Sequence, residues 1–361
     1  MNQQSSLVAA GDSIEHSYGA TEGTLQLPAA LKEGGWAGVF YILLSGIISN
    51  YTGILTVRAL YHREGLRVKT FSDLGHSAYG LTGLRFVKYF KHLALISAGA
   101  IFILLAAINL DALSNSYFGF QDHIQLWVVI SSIIVFIPMV LFKEAHESPV
   151  MSFFGTFTTV FVIVIVSVLS VIRYFSKDFI SPPTTLFKFF GFPVSISSIF
   201  FAFGGNLLWP EVEKGMKNPK DFDKVLTLSN ACVTLLYMSI AISAYLIFGN
   251  NVLSPVLLSF QSSPILDTAY ILITLHVLLT APILLMSVTN EMEHDMCKNS
   301  SDSQEFSIFG RSVFRGLIIT ASSATVLVLP NFEKLVAFMG AISSSILCLV
   351  SFYFFCLNQF L

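Results

Sequence analysis

The sequence predicts an all-α polytopic membrane protein, and three observations carry that prediction. The 361 residues are 54% hydrophobic and only 12% charged, where a soluble domain carries roughly 25% charged residues. Mean hydropathy is +0.72. Apolar runs of the length a bilayer crossing needs, about 20 residues, recur along the whole chain.

The polar stretch 1–22 has no apolar core and therefore does not read as a cleavable signal peptide. Residues 23–361 read as one integral domain of helices joined by short loops. Its first element, Gly23 to Leu31, is apolar but too short to cross alone, and it runs into Gly34-Gly35-Trp36. Spans are expected at about 36–60, 86–110, 126–142, 150–172, 193–210, 226–248, 265–289, 311–330 and 334–357. The basic, glycine-bearing stretch 61–85 is mildly amphipathic. It is expected either on the cytosolic membrane surface, with Lys and Arg near anionic headgroups, or as a solvated loop.

Loop charge sets the orientation, because cytosolic loops collect Lys and Arg. If the 36–60 span ends in the cytosol, that side holds 15 of the 20 Lys and Arg residues and the other side 5. The loops near 111–124 and 249–264 hold none. The inverted orientation reverses the ratio and is rejected.

Several function classes are excluded. A net charge of −2 gives no electrostatic footprint for nucleic acid. Cys232, Cys348 and Cys356 fall in apolar spans and Cys297 in a polar loop, with no metal-ligand spacing. No phosphate-binding loop, nucleophile elbow or zinc-protease helix is present. The chain is not expected to be an enzyme, and no cofactor or metal is implied.

The most informative stretch is FFAFGGNLLWPEVEKGMKNPKDF, Phe200 to Phe222. An apolar helix meets Gly204-Gly205 and Pro210 and then a Lys-rich end. A helix in lipid satisfies its own backbone, so such a break needs a reason. Either the freed backbone lines a cavity that holds a polar ligand, or the glycines let two helices pack closely.

Together with GTLQLPAALKEGGWAG (Gly23 to Gly38), NYTGILTVRALY (Asn50 to Tyr61), LLTAPILLMSVTNEME (Leu278 to Glu293) and RSVFRGLIITASSATVLVLPNFEKLVAFMGAISSS (Arg311 to Ser345), this stretch resembles the amino acid/auxin permease family. It looks most like the vesicular inhibitory and vacuolar amino acid transporters. The pairing of a GTxxLP…GGW start with Pro210, Met216, Pro219 and Phe222 is the specific part.

That resemblance implies an inverted-repeat, LeuT-like transporter fold in which helices one and six are broken at the midplane. Carried over by position, the helix-six break is Phe203, Gly204, Gly205 and Asn206, and the helix-one break lies near Gly23 and Thr24. These six are the expected substrate-binding residues. Half-helix N-termini attract a carboxylate, and unwound carbonyls hold an ammonium. Phe203 reads as a gate or as one more packed aromatic; Asn206 bonds substrate or satisfies the break. Thr280, where sodium-coupled relatives place a cation ligand, either binds the coupling ion or back-bonds its own helix. His276, deep in the eighth helix, is the proton-relay candidate. Where family members carry an apolar half-helix, this chain reads GDSIEHSYGATE (Gly11 to Glu22). The first half of helix one and the eleventh helix are therefore expected to be lacking.

The expected function is secondary active transport of small neutral amino acids across a vacuolar, lysosomal or secretory-vesicle membrane, by exchange with protons. The alternatives are a proton- or sodium-coupled symporter at the lysosome, vacuole or plasma membrane, and a shortened, non-transporting amino-acid sensor or regulatory partner. The partners implied are the amino acid, protons and the lipid bilayer, with no nucleic acid.

Overall fold

A computed structural model of the chain describes residues 20–61, 68, 71–119, 123–142, 149–204, 209–299 and 307–342. The long elements are helices: α1 (Ala20–Gly34), α2 (Ala37–Leu60), α3 (Phe71–Phe118), α4 (Ile124–Leu141), α5 (Pro149–Tyr174), α6 (Phe192–Ala202), α7 (Trp209–Gly215), α8 (Phe222–Phe248), α9 (Pro264–Asn299) and α10 (Ile308–Val328). A further helix, α11, covers 332–342. Among the described residues, seven helices are long and apolar enough to cross a membrane. An integral membrane protein is what these lengths require, since only helices and closed barrels satisfy their backbone in hydrocarbon.

The predicted spans fall on these helices with two informative differences. The 86–110 span is part of a longer helix, because α3 begins at Phe71 within the basic stretch. It turns at Tyr79 and Gly80, where φ reaches 61°, a value that a glycine adopts without steric cost. The expected 193–210 span is instead the 11-residue α6, ending at Ala202, followed by α7 from Trp209. At 1.5 Å per residue α6 rises about 16 Å, roughly half of a ~30 Å hydrocarbon core. Most of the 334–357 span lies outside the described residues.

The chain divides into two compact units. The first takes residues up to 91, 148–260 and from 336; the second takes 92–147 and 261–335. The first thus holds α1, α2, α5, α6, α7, α8 and the start of α3, and the second the rest of α3 with α4, α9 and α10. Each unit draws on both halves of the sequence.

In the first unit α1 and α6 run antiparallel in close contact. A Cβ added to Gly23 would lie 2.5 Å from the Ala202 Cα, and one added to Gly34 would lie 2.5 Å from the Ser195 Oγ. Small residues at such crossings let backbones approach, which drives helix association in lipid. On α2, Gly46 and Gly53 do the same: added Cβ atoms would meet Thr234 Oγ1 at 2.5 Å and Leu226 at 2.7 Å. Val57 of α2, Trp209 of α7, and Phe222 and Leu226 of α8 form a buried cluster at the other end of α2.

The connection from α5 to α6 is pinned across one end of this unit. Trp36 and Ala37 donate their N–H groups to the Thr185 and Leu186 carbonyls, each at 3.0 Å, and Asn250 N–H donates to Pro183 O at 3.0 Å. Lys188 Nζ caps the Lys32 carbonyl at 2.6 Å near the end of α1. Gly35 explains the Gly-Gly-Trp motif: its φ is 74°, and any Cβ there would lie 2.7 Å from the Thr185 and Leu186 carbonyl oxygens.

The second unit is tied together by a buried arginine. Arg315 of α10, with no side-chain exposure, donates to Glu293 Oε1 at 3.0 Å and Asn290 Oδ1 at 2.6 Å on α9. Its NH1 group donates to the Met139 and Phe142 carbonyls at the end of α4, at 2.5 and 2.8 Å. Those carbonyls are among the acceptors a helix terminus leaves without intrahelical partners. Ser307 caps the start of α10 by accepting from Gly310 N–H at 3.1 Å.

Candidate functional site

The first unit brings Gly23 and Thr24 of α1 against the end of α6. Both are buried, Thr24 at 1% exposure. They lie in the opening turns of α1, whose first N–H groups lack intrahelical acceptors and carry the positive end of the helix dipole. Pro28, inside α1, has no N–H, so the ladder bond that residue 28 would make to the Thr24 carbonyl is missing. The positive end of a helix dipole and a proline-interrupted ladder therefore meet on this short stretch.

The C-terminus of α6 faces the same region. Phe203 caps it and is buried, its ring 5.1 Å from that of Tyr237 in an edge-on contact. The Tyr237 hydroxyl donates to the Ala202 carbonyl at 2.9 Å, and Ser49 Oγ donates to the Phe203 carbonyl at 3.4 Å. Side chains from α8 and α2 thus take up terminal carbonyls that hydrocarbon leaves costly. Gly204 follows, half-buried. Gly205 and Asn206 lie outside the described residues. From Gly23 to Leu31, and throughout α6, no charged residue occurs.

His276 and Thr280 sit one turn apart on α9 in the second unit, both buried. The Thr280 hydroxyl donates to the His276 carbonyl at 2.8 Å, and its oxygen lies 3.4 Å from His276 Nδ1. Thr280 therefore back-bonds its helix and retains lone pairs as an acceptor.

Sequence reasoning missed several polar groups. Gln26 is fully buried. Its Oε1 accepts a short hydrogen bond from Ser254 Oγ of the α8–α9 connection, and its Nε2 has no partner among the described residues. The available signal was one glutamine between Leu25 and Leu27 in an apolar run. Glu213 was missed as well. Glu213 is 1% exposed and accepts a short hydrogen bond from the Tyr61 hydroxyl. It lies one turn from Trp209, on the helix face that packs inward. His92, on α3, has its Nε2 3.2 Å from Glu291 Oε2.

The family model and the relatives named below agree on one family. The model of the family described as transmembrane amino acid transporter protein matches residues 14–359. Amino acid transporter AVT1E of Arabidopsis thaliana is 28% identical over 341 residues, covering 90% of this chain and 62% of the relative. Vacuolar amino acid transporter 4 of Saccharomyces cerevisiae is 25% identical over 279 residues, covering 75% of this chain and 38% of the relative. The chain thus spans about three-fifths of the length of AVT1E and of AVT1D, 62% and 59%.

Among solved structures, the inward-facing conformation of Mhp1 superposes with a TM-score of 0.61 at 13% identity, over 93% of this chain and 75% of that one. The Eremococcus coleocola manganese transporter in complex with an aromatic bis-isothiourea substituted compound gives 0.55 at 13% identity, over 98% and 78%. At that identity the likeness shows the fold alone, and the fold is the LeuT-like one. The family is one of transporters and not of enzymes. With its matched region running almost from end to end, the chain belongs to the transmembrane amino acid transporter protein family.

Proposed function

We propose that this protein is a secondary active transporter that moves small neutral amino acids across an organelle membrane, the vacuolar membrane first, in exchange for protons. The observation that carries the reading is the uncharged junction of α1 and α6. The start of α1 brings the positive end of a helix dipole there, which favours a carboxylate, and the carbonyl end of α6 brings the negative end, which favours an ammonium. Gly23, Thr24, Phe203, Gly204, Gly205 and Asn206 are the proposed binding residues. A charged substrate side chain finds no countercharge between Gly23 and Leu31 or on α6. The vacuolar assignment is supported by the name of the yeast relative, a vacuolar amino acid transporter.

Coupling is assigned to α9. His276 is the proposed proton relay, since a titratable group buried in a span is the kind proton-coupled transporters use. Thr280 orients it through their contact. Competition for uptake tests the substrate class: alanine, serine and glutamine are expected to compete, and arginine and glutamate not. Strong competition by arginine overturns the reading.

A further inference from the structure

The connection from α8 to α9 reaches deep into the first unit. Ser254 meets Gln26, which lies nine residues before Gly35 at the end of α1. That separation is about 13 Å along the helix. Val252, Val256 and Leu257 of the same connection are fully buried. The connection is therefore a plug along α1, and it ends on a polar group.

Gln26 is a carboxamide with one acceptor and two donor hydrogens. Ser254 bonds the Oε1 end, and Nε2 is the end turned away from the plug. Nε2 is buried and has no partner among the described residues. A second such group lies at the same depth. Gly23 packs on Ala202, and Gly34 on Ser195 next to Gly191 on Glu33, so the antiparallel register puts Ser198 level with Leu27. Ser198 is 1% exposed, and its hydroxyl also has no partner among the described residues. Buried polar groups are almost always bonded, so two orphans at one level of the α1–α6 pair call for a polar occupant.

We propose that Gln26 is a specificity-determining residue of this transporter, and that with Ser198 it selects amino acids whose neutral side chains accept a hydrogen bond. This rests on the transport reading above and refines its substrate class. The carboxylate bonds at the opening turn of α1, around Gly23. Gln26 is one turn further along, about 4.5 Å, which is the distance from a carboxylate to the side chain of the same amino acid. An amide or hydroxyl side chain satisfies Nε2 and Ser198. An aliphatic one of equal size leaves both unpaired and is rejected, as hydrogen-bonding pockets reject apolar analogues. Ser254 is a positioning residue. It bonds one end of the amide and leaves the other end for the substrate.

The test compares glutamine with leucine on the purified full chain. Ligand-induced thermal stabilisation and uptake into proteoliposomes are read for the wild type, Gln26→Met and Ser254→Ala. The wild type is expected to favour glutamine. Gln26→Met, matched in length but without donors, is expected to shift the glutamine-to-leucine preference toward leucine by about tenfold or more. Ser254→Ala is expected to shift it partway, because the amide then loses the bond that holds it in place; if Gln26→Met does not fold, this variant decides. Wild-type binding with the same preference in both variants overturns the inference and leaves the transport reading standing. A wild type that neither binds nor moves any amino acid overturns both.

Discussion

The Tyr237 hydroxyl donates to the Ala202 carbonyl across 2.9 Å, so α8 closes the end of α6 where the helix itself stops. Tyr237→Phe removes the donor and leaves a buried carbonyl unpaired, at a cost of about 1–3 kcal/mol. The variant is expected to unfold at lower temperature in detergent and to take up amino acid more slowly. An unchanged melting temperature contradicts the role given to this bond.

Gly23 faces Ala202 so closely that a methyl group would sit 2.5 Å from its Cα. Gly23→Val must push α1 and α6 apart, and overpacking of this kind costs about 1–3 kcal/mol. Loss of uptake with a folded, monodisperse protein is the expected outcome. Gly316 is the control, since its nearest neighbours are Phe136 ring atoms at 3.5 Å and beyond, and Gly316→Ala is expected to behave as wild type.

Arg315 meets four acceptors on α4 and α9 with no exposure to solvent. Arg315→Met leaves Glu293 only its pair with Arg311 at 3.5 Å and takes the donor from two α4 carbonyls; breaking a buried pair from one side costs up to about 3–5 kcal/mol. Arg315→Lys is expected to restore less than half of the lost stability, because an ammonium on a flexible stem does not reproduce the planar fork. Thermal unfolding of the three proteins checks this.

Much of the fold was legible because lipid imposes a simple code. Apolar length alone placed α2, α4, α5, α8, α9 and α10. The double glycine and proline after Phe203 marked where α6 ends. The kink at Tyr79 was hidden because a basic, amphipathic stretch does not reveal whether it lies on a surface or continues as a helix. The contacts that shape the site are of another kind. Ser254 reaches Gln26 across 228 residues, and Arg315 reaches Met139 across 176. Neither pairing leaves a periodicity on its own segment. Gln26 stood out only as a polar residue in an apolar run, and its partner came from a loop with no charge to draw notice. Glu213 was hidden by its Lys-rich neighbours, which made α7 look wholly solvent-facing.

His276 is assigned the proton step, so its loss is expected to separate two activities. His276→Ala should abolish the response to a pH gradient and preserve exchange of labelled for unlabelled amino acid at equal pH. Gradient-driven uptake equal to wild type removes His276 from the coupling path.

The most direct test is uptake of a radiolabelled small neutral amino acid by sealed vesicles containing this chain, with and without an inside-acidic pH gradient. Accumulation that requires the gradient and collapses with a protonophore is the predicted result. Accumulation that is indifferent to the gradient, or that requires its reverse, contradicts proton exchange as the mechanism.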